Sequence, residues 1–207
     1  MTTLQDLLDS ERTGIDEIAA WLDRATPEGR VEAAFSLDRA GQRTLFRRAG
    51  IATPFTLDHF VPRDVGEVRP VHHKGKNTLP LPAKHRLFEK RFSRPNDGSE
   101  RLFGYNESPS KNLVGPGFFV AVYTRGQPAW TERGAIVVDY FQVPDGQVPN
   151  GWPSVVPNSK GLQRFVYNGT RDFMRRVSAY VSIGAAYKGE KALDHYFVLV
   201  RQDHQAR

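Results

Sequence analysis

His72 and His73 stand together in the run His72-His73-Lys74-Gly75-Lys76-Asn77, the densest gathering of chemistry-bearing side chains in the sequence. An imidazole can pass a proton near neutral pH, and lysines beside it can hold a developing oxyanion. His72 and His73 are therefore candidate catalytic groups. Lys74, Lys76 and Asn77 are candidate ligand-binding residues, because cationic side chains and the backbone N–H groups of a glycine-containing loop both suit an anion. A solvated basic face is the plain alternative.

Asp139 is the third catalytic candidate. Taken at every second position, Ala135, Val137, Asp139, Phe141 and Val143 put this carboxylate on an apolar face, read as the inward one. An inward carboxylate must be paired, hydrogen-bonded or neutralised. It reads either as a general base or ligand anchor inside a barrel, or as half of a buried ion pair with Arg175, Arg176 or a basic-segment residue. A register slip of one would turn it outward and remove both readings. Arg91, Tyr105, Arg175 and Arg176 complete the candidate ligand-binding set, the arginines as charge and Tyr105 with Phe88 and Phe92 as stacking surfaces.

These residues centre on positions 69–95, which hold eight Lys or Arg against the single Glu89 and so exceed the net +6 of the whole chain. The expected partner is an anionic small molecule, bearing phosphate or carboxylate, or a nucleic acid. Positions 1–60 are net acidic, so a homo-oligomer joining acidic N-terminal and basic C-terminal halves is a further expectation, as is a basic segment that answers its own chain's helices. No metal or cofactor is expected. Cysteine is absent, no HExxH occurs, and Gly115-Pro116-Gly117 precedes a strand instead of opening a helix as a dinucleotide fingerprint does. With no long apolar run and a polar, acidic start, the expectation is a cytoplasmic protein without a membrane span.

The elements that must position these groups read as α+β. Residues 1–50 predict a small helical bundle, with caps at Thr13, Thr26 before Pro27, and Ser36 or Asp38, ending at Gly50. Residues 51–68 form a connector interrupted by Pro54 and Pro62. Residues 69–207 predict a twisted, mainly antiparallel sheet or partial barrel with one or two short helices. Within it, 72–77 reads as a loop and 83–92 as a helix placing Phe88 and Phe92 on one face. Strands are expected at 101–106, 117–124, 134–143, 163–167 and 195–201, with a long irregular loop at 144–161. Residues 170–187 are ambiguous, and are assigned to a helix at 170–176 and a strand at 177–187. The function this supports is anion binding beside a sheet cavity. The alternatives are an acid–base enzyme using His72 or His73 with Asp139, and a protein- or nucleic-acid-binding module.

Overall fold

The computed structural model describes residues 2–50 and 54–202, so the first three connector positions and the last five of the sheet region lie outside it. Four helices come first: α1 (Leu4–Asp9), α2 (Ile15–Arg24), α3 (Pro27–Ser36) and α4 (Arg39–Ala49). Thr3 and Asp6 form a capping box on α1, Thr26 caps α3 ahead of Pro27, and Asp38 caps α4. Gly50 ends α4 at φ 56, the left-handed conformation expected of it. The Thr13 cap falls one residue early, because Gly14 precedes α2.

Eight strands follow: β1 (Val71–Asn77), β2 (Leu87–Ser93), β3 (Arg101–Glu107), β4 (Phe119–Tyr123), β5 (Ile136–Asp139), β6 (Thr170–Arg176), β7 (Val181–Lys188) and β8 (Lys191–Arg201). Each pairs antiparallel with the next, and β8 pairs back onto β1, so the sheet closes as an up-and-down barrel. Short helices α5 (Lys111–Val114), α6 (Pro128–Thr131) and α7 (Gln163–Val166) sit in the connections. The fold is thus α+β, with helices packed on a closed antiparallel barrel.

Four local assignments are corrected. Residues 71–77 are a strand and not a loop, 87–93 a strand and not a helix, 170–176 a strand and not a helix, and 163–166 a helix and not a strand. The first three share a cause. Val71, His73, Gly75 and Asn77 form one face of β1, while Thr170, Asp172 and Met174 form one face of β6. Polar or very small residues stand where an apolar alternation would announce a strand. Phe88 and Phe92, four apart, share a face of β2 as they would of a helix, with Lys90 between them.

Two apolar cores result. Alternate barrel residues, among them Phe92, Leu102, Phe119, Ile136, Val138, Met174, Phe197 and Leu199, fill the interior. Val181, Ile183, Val198 and Val200 face outward and bury against Leu4, Leu8, Ile18, Leu22, Leu45 and Phe46 of the helices. The connector enters the interior core as well. Phe55, Leu57, Phe60, Val61 and Val65 plug one end of the barrel, with Phe60 stacked on Phe92 at 4.6 Å between ring centres. Arg94 fastens the plug by donating to Asp58 Oδ1 at 3.1 Å and the Val61 carbonyl at 2.7 Å.

Three inward aromatic rings lie directly across from glycines of neighbouring strands: Phe88 from Gly75, Phe119 from Gly104 and Phe197 from Gly184. A Cβ on these glycines would sit 2.3–2.6 Å from the opposing ring. An eight-stranded barrel is just wide enough for its own side chains, and the missing Cβ atoms make room for the rings.

Candidate functional site

With one end plugged, the barrel is a cup of about 620 Å³ open at the other end. Phe88, Phe197, Ala186, Tyr167 and Leu193 line its wall, and Lys90, Asn106, Tyr140 and Asp172 form a polar floor. Those four come from β2, β3, the end of β5 and β6, so the floor exists only once the sheet has closed.

Lys90 is 2% exposed. Its ammonium has three N–H donors, and Asn106 Oδ1 at 2.9 Å, Asp172 Oδ2 at 3.2 Å and the Tyr140 hydroxyl accept all of them. The rings of Phe119, Tyr140 and Phe197 stand about 5 Å from the same nitrogen and offer it their electron-rich faces. Tyr140 in turn donates to Asp172 Oδ2 at 3.2 Å, and Asn106 Nδ2 donates to Tyr140 and to the Gly117 carbonyl, each at 3.1 Å. Two charges this deep are tolerable only when they are paired with one another and hydrogen-bonded to their neighbours.

Burial sets the protonation behaviour of the floor. It pulls the Lys90 pKa down, against the opposing pull of Asp172. It pushes the Asp172 carboxyl up, against Lys90 and Tyr140. Tyr140 is held well above the ordinary phenol range by burial and then by the Asp172 charge, and Tyr167 is pushed up to about 12 for the same two reasons. Burial thus displaces both members of the ion pair toward their neutral forms, and each opposes that displacement in the other.

The floor is not uniformly closed. The Asp172 side chain keeps 8% of its surface against 2% for Lys90, and among the described residues its Oδ1 receives no hydrogen bond. Higher in the cup, Tyr167 stacks on Tyr140 at 5.2 Å, and its hydroxyl has no protein partner among the described residues. His195 Nδ1, on a residue that also lines the cup, is buried and has no hydrogen-bond partner among the described residues. The long connection from β5 to β6 is pinned where it crosses this region. Asn158 donates to the Phe118 and Tyr140 carbonyls at 2.7 and 2.8 Å, and Gln163 donates to the Pro157 carbonyl at 2.9 Å.

The residues singled out in the sequence are distributed differently. Asn77 lines the cup, its Oδ1 accepting from Leu79 N. His73 is inside the barrel but beneath the plug, with Nε2 3.0 Å from the Phe60 carbonyl oxygen. His72 lies beside Glu89, 3.6 Å away, on the opposite face of β1. Lys74 is exposed, whereas Lys76 caps the C-terminal end of α3 by donating to the Phe35 and Leu37 carbonyls. Arg91 and Tyr105 belong to an outer network in which Arg91 donates to the Tyr105 hydroxyl at 3.0 Å and that hydroxyl to Glu107 Oε2 at 3.0 Å. Arg175 donates to the Phe46, Arg133 and Glu132 carbonyls, and Arg176 to those of Ser178 and Pro54.

Asp139 is a correction of face. The inward residues of this stretch are Ile136, Val138 and Tyr140, so Asp139 is on the outer face, yet only 3% exposed. It pairs with Arg171, whose Nε is 3.3 Å from Oδ1 and whose guanidinium lies over Trp130 and Phe141. The pair forms on the outer face and with Arg171, not inside the barrel with Arg175, Arg176 or a basic-segment residue as expected, and His72, His73 and Asp139 do not converge. What sequence reasoning missed is Lys90, Tyr140 and Asp172. Lys90 and Asp172 fell in stretches assigned to helix, with Phe88 and Phe92 at alternate positions around Lys90 as the one signal. Tyr140 fell in a stretch assigned to strand whose opposite face was read as the inward one.

Comparison of the chain with protein-family models, with curated proteins and with solved structures found no match.

Proposed function

We propose that the barrel binds a small, largely apolar molecule end-on, with a hydroxyl or amine head at Asp172. One observation carries this reading: an aromatic-walled cup of about 620 Å³ ends on a carboxylate with one oxygen committed to Lys90 and Tyr140 and the other uncommitted. Such cups bind through apolar contact area and take orientation from a few placed polar groups. A ligand that donates to Oδ1 satisfies the last open position of the floor without disturbing the rest. The anionic ligand expected from the basic segment meets a carboxylate here instead. It fits only with uptake of a proton, which the raised Asp172 pKa favours.

Displacement of an environment-sensitive naphthalene dye by a matched long-chain alcohol, amine and carboxylic acid tests the reading. The alcohol and amine should displace the dye at one site per chain, and Asp172→Asn should weaken the amine by about tenfold or more, the range for a charge-assisted hydrogen bond. Displacement by none of the three, or equal binding of the amine to wild type and Asp172→Asn, would contradict it.

A second reading, acid–base catalysis on the bound molecule, is favoured by the combination of a raised carboxyl and a fixed Oδ2. It replaces His72 or His73 and Asp139 with Asp172 as the proton-transferring group. Recovery of the bound molecules chemically unchanged after prolonged incubation would leave binding alone.

A further inference from the structure

The rim of the cup carries a feature that neither the floor nor the plug requires. Seven large apolar side chains among the described residues are at least 40% exposed, and six of them gather at the open end. Leu81, Phe165 and Val166 line the mouth itself. Leu113 adjoins Val114 on α5, Leu162 precedes α7, and Leu87 begins β2 at the same end. Phe165 is 66% exposed and Leu113 73%. Side chains of this size scattered singly over a surface need no explanation, but a cluster around an opening marks an interaction surface.

The same rim is cationic. Lys84, Lys160, Arg164, Lys188 and Lys191 have no carboxylate partner among the described residues. The nearby acids are occupied: Glu107 by Lys111 at 2.8 Å, Glu190 by Arg133 at 2.7 Å, and Asp194 by Arg43. The mouth therefore presents an apolar centre surrounded by unpaired positive charge.

We propose that the open end of the barrel docks on the surface of an anionic lipid bilayer. Phe165, Val166, Leu113 and Leu81 enter the interfacial region, while the surrounding lysines and Arg164 reach the lipid phosphates and acidic headgroups. Long cationic side chains suit that place, because their stems lie along apolar surface and their charges stay in the polar layer. A nucleic acid would engage the cations but give the apolar centre nothing to bury in. Docking in this orientation points the cup at the membrane, so an apolar molecule passes between bilayer and barrel without crossing water. The proposal rests on the rim alone and stands whichever ligand the cup prefers.

Co-sedimentation of the full-length protein with vesicles tests it, using phosphatidylcholine alone and phosphatidylcholine mixed with phosphatidylglycerol. The protein should sediment with the mixed vesicles, less so as salt rises, and much less with the neutral ones. The double variant Leu113→Ser/Phe165→Ser should lose about tenfold or more in apparent affinity, as expected for withdrawing two buried apolar side chains. Its melting temperature should match wild type, since both residues are exposed. Lys188→Glu/Lys191→Glu should weaken binding to the anionic vesicles specifically. Absence of sedimentation would overturn the proposal. So would sedimentation that Leu113→Ser/Phe165→Ser leaves intact, which is charge adsorption only, or tighter binding to a DNA duplex than to the vesicles.

Discussion

Asp172 and Lys90 hold one another in an interior that would reject either alone, and their energetics can be separated by substitution. Lys90→Met leaves a carboxylate buried without its cation and should cost about 3–5 kcal/mol in urea unfolding. Lys90→Met with Asp172→Leu removes both charges and should recover much of that loss. A double variant as unstable as the single would mean the pair is not the unit described here. A second residue-scale effect lies under the plug. His73 is pulled down to about 3, chiefly by burial, and His59 well below 6.5 by burial and then by His73. Below about pH 6.5 the unfolded chain takes protons at both positions that the folded chain refuses. Stability should therefore fall as pH drops below about 6.5, His73 contributing about 1.4 kcal/mol per unit down to about 3 and His59 adding to the slope in the same direction. His73→Gln should remove one proton's share of that slope. An unchanged slope would mean that His73 is protonated in the folded protein.

At the scale of elements, the glycine opposite each inward ring decides whether the barrel can close around its aromatics. Gly104→Val would drive a side chain into Phe119 and the Arg91 carbonyl, and should destabilise by about 1–3 kcal/mol or more. Gly98→Ala, in a turn with nothing within 4 Å but φ 72, measures the cost of backbone strain without crowding. If Gly104→Val proves no worse than Gly98→Ala, the ring-against-glycine packing is not tight. The helices were legible in the sequence because caps and a 3.6-residue apolar period agree there, and β4, β5 and β8 because branched and aromatic residues mark them. Strands β1, β2 and β6 were not. Gly75 in β1, Lys90 in β2 and Asp172 in β6 stand at inward positions where an apolar residue would announce a strand, so part of what makes the site also erases the strand pattern. The plug was likewise invisible, since Phe55, Phe60 and Val65 have no period and acquire a role only against a closed barrel.

For the whole molecule, the basic segment that dominates the sequence is taken apart by folding. Lys76 ends on a helix, Arg91 on an outer carboxylate network, Arg94 on the plug, and Lys84 on the rim. Lys90 alone of its cations reaches the floor. A run of like charge along the chain thus became separate structural tasks, because alternate residues of a strand face opposite sides of the sheet. The local charge raised the expectation of an anion site, and beside the dispersed cations the closed barrel presents a largely apolar cup with Lys90 and Asp172 among its lining residues. Photolabelling with a long-chain alcohol that carries a diazirine near its hydroxyl, mapped by mass spectrometry, tests that account most directly. Label should fall on peptides containing Phe88, Tyr140, Tyr167 or Phe197, and should vanish with excess unlabelled alcohol and in Ala186→Trp, which fills the cup. Label confined to the helices or to the outer network of Arg91 and Tyr105, or undiminished in Ala186→Trp, would contradict it.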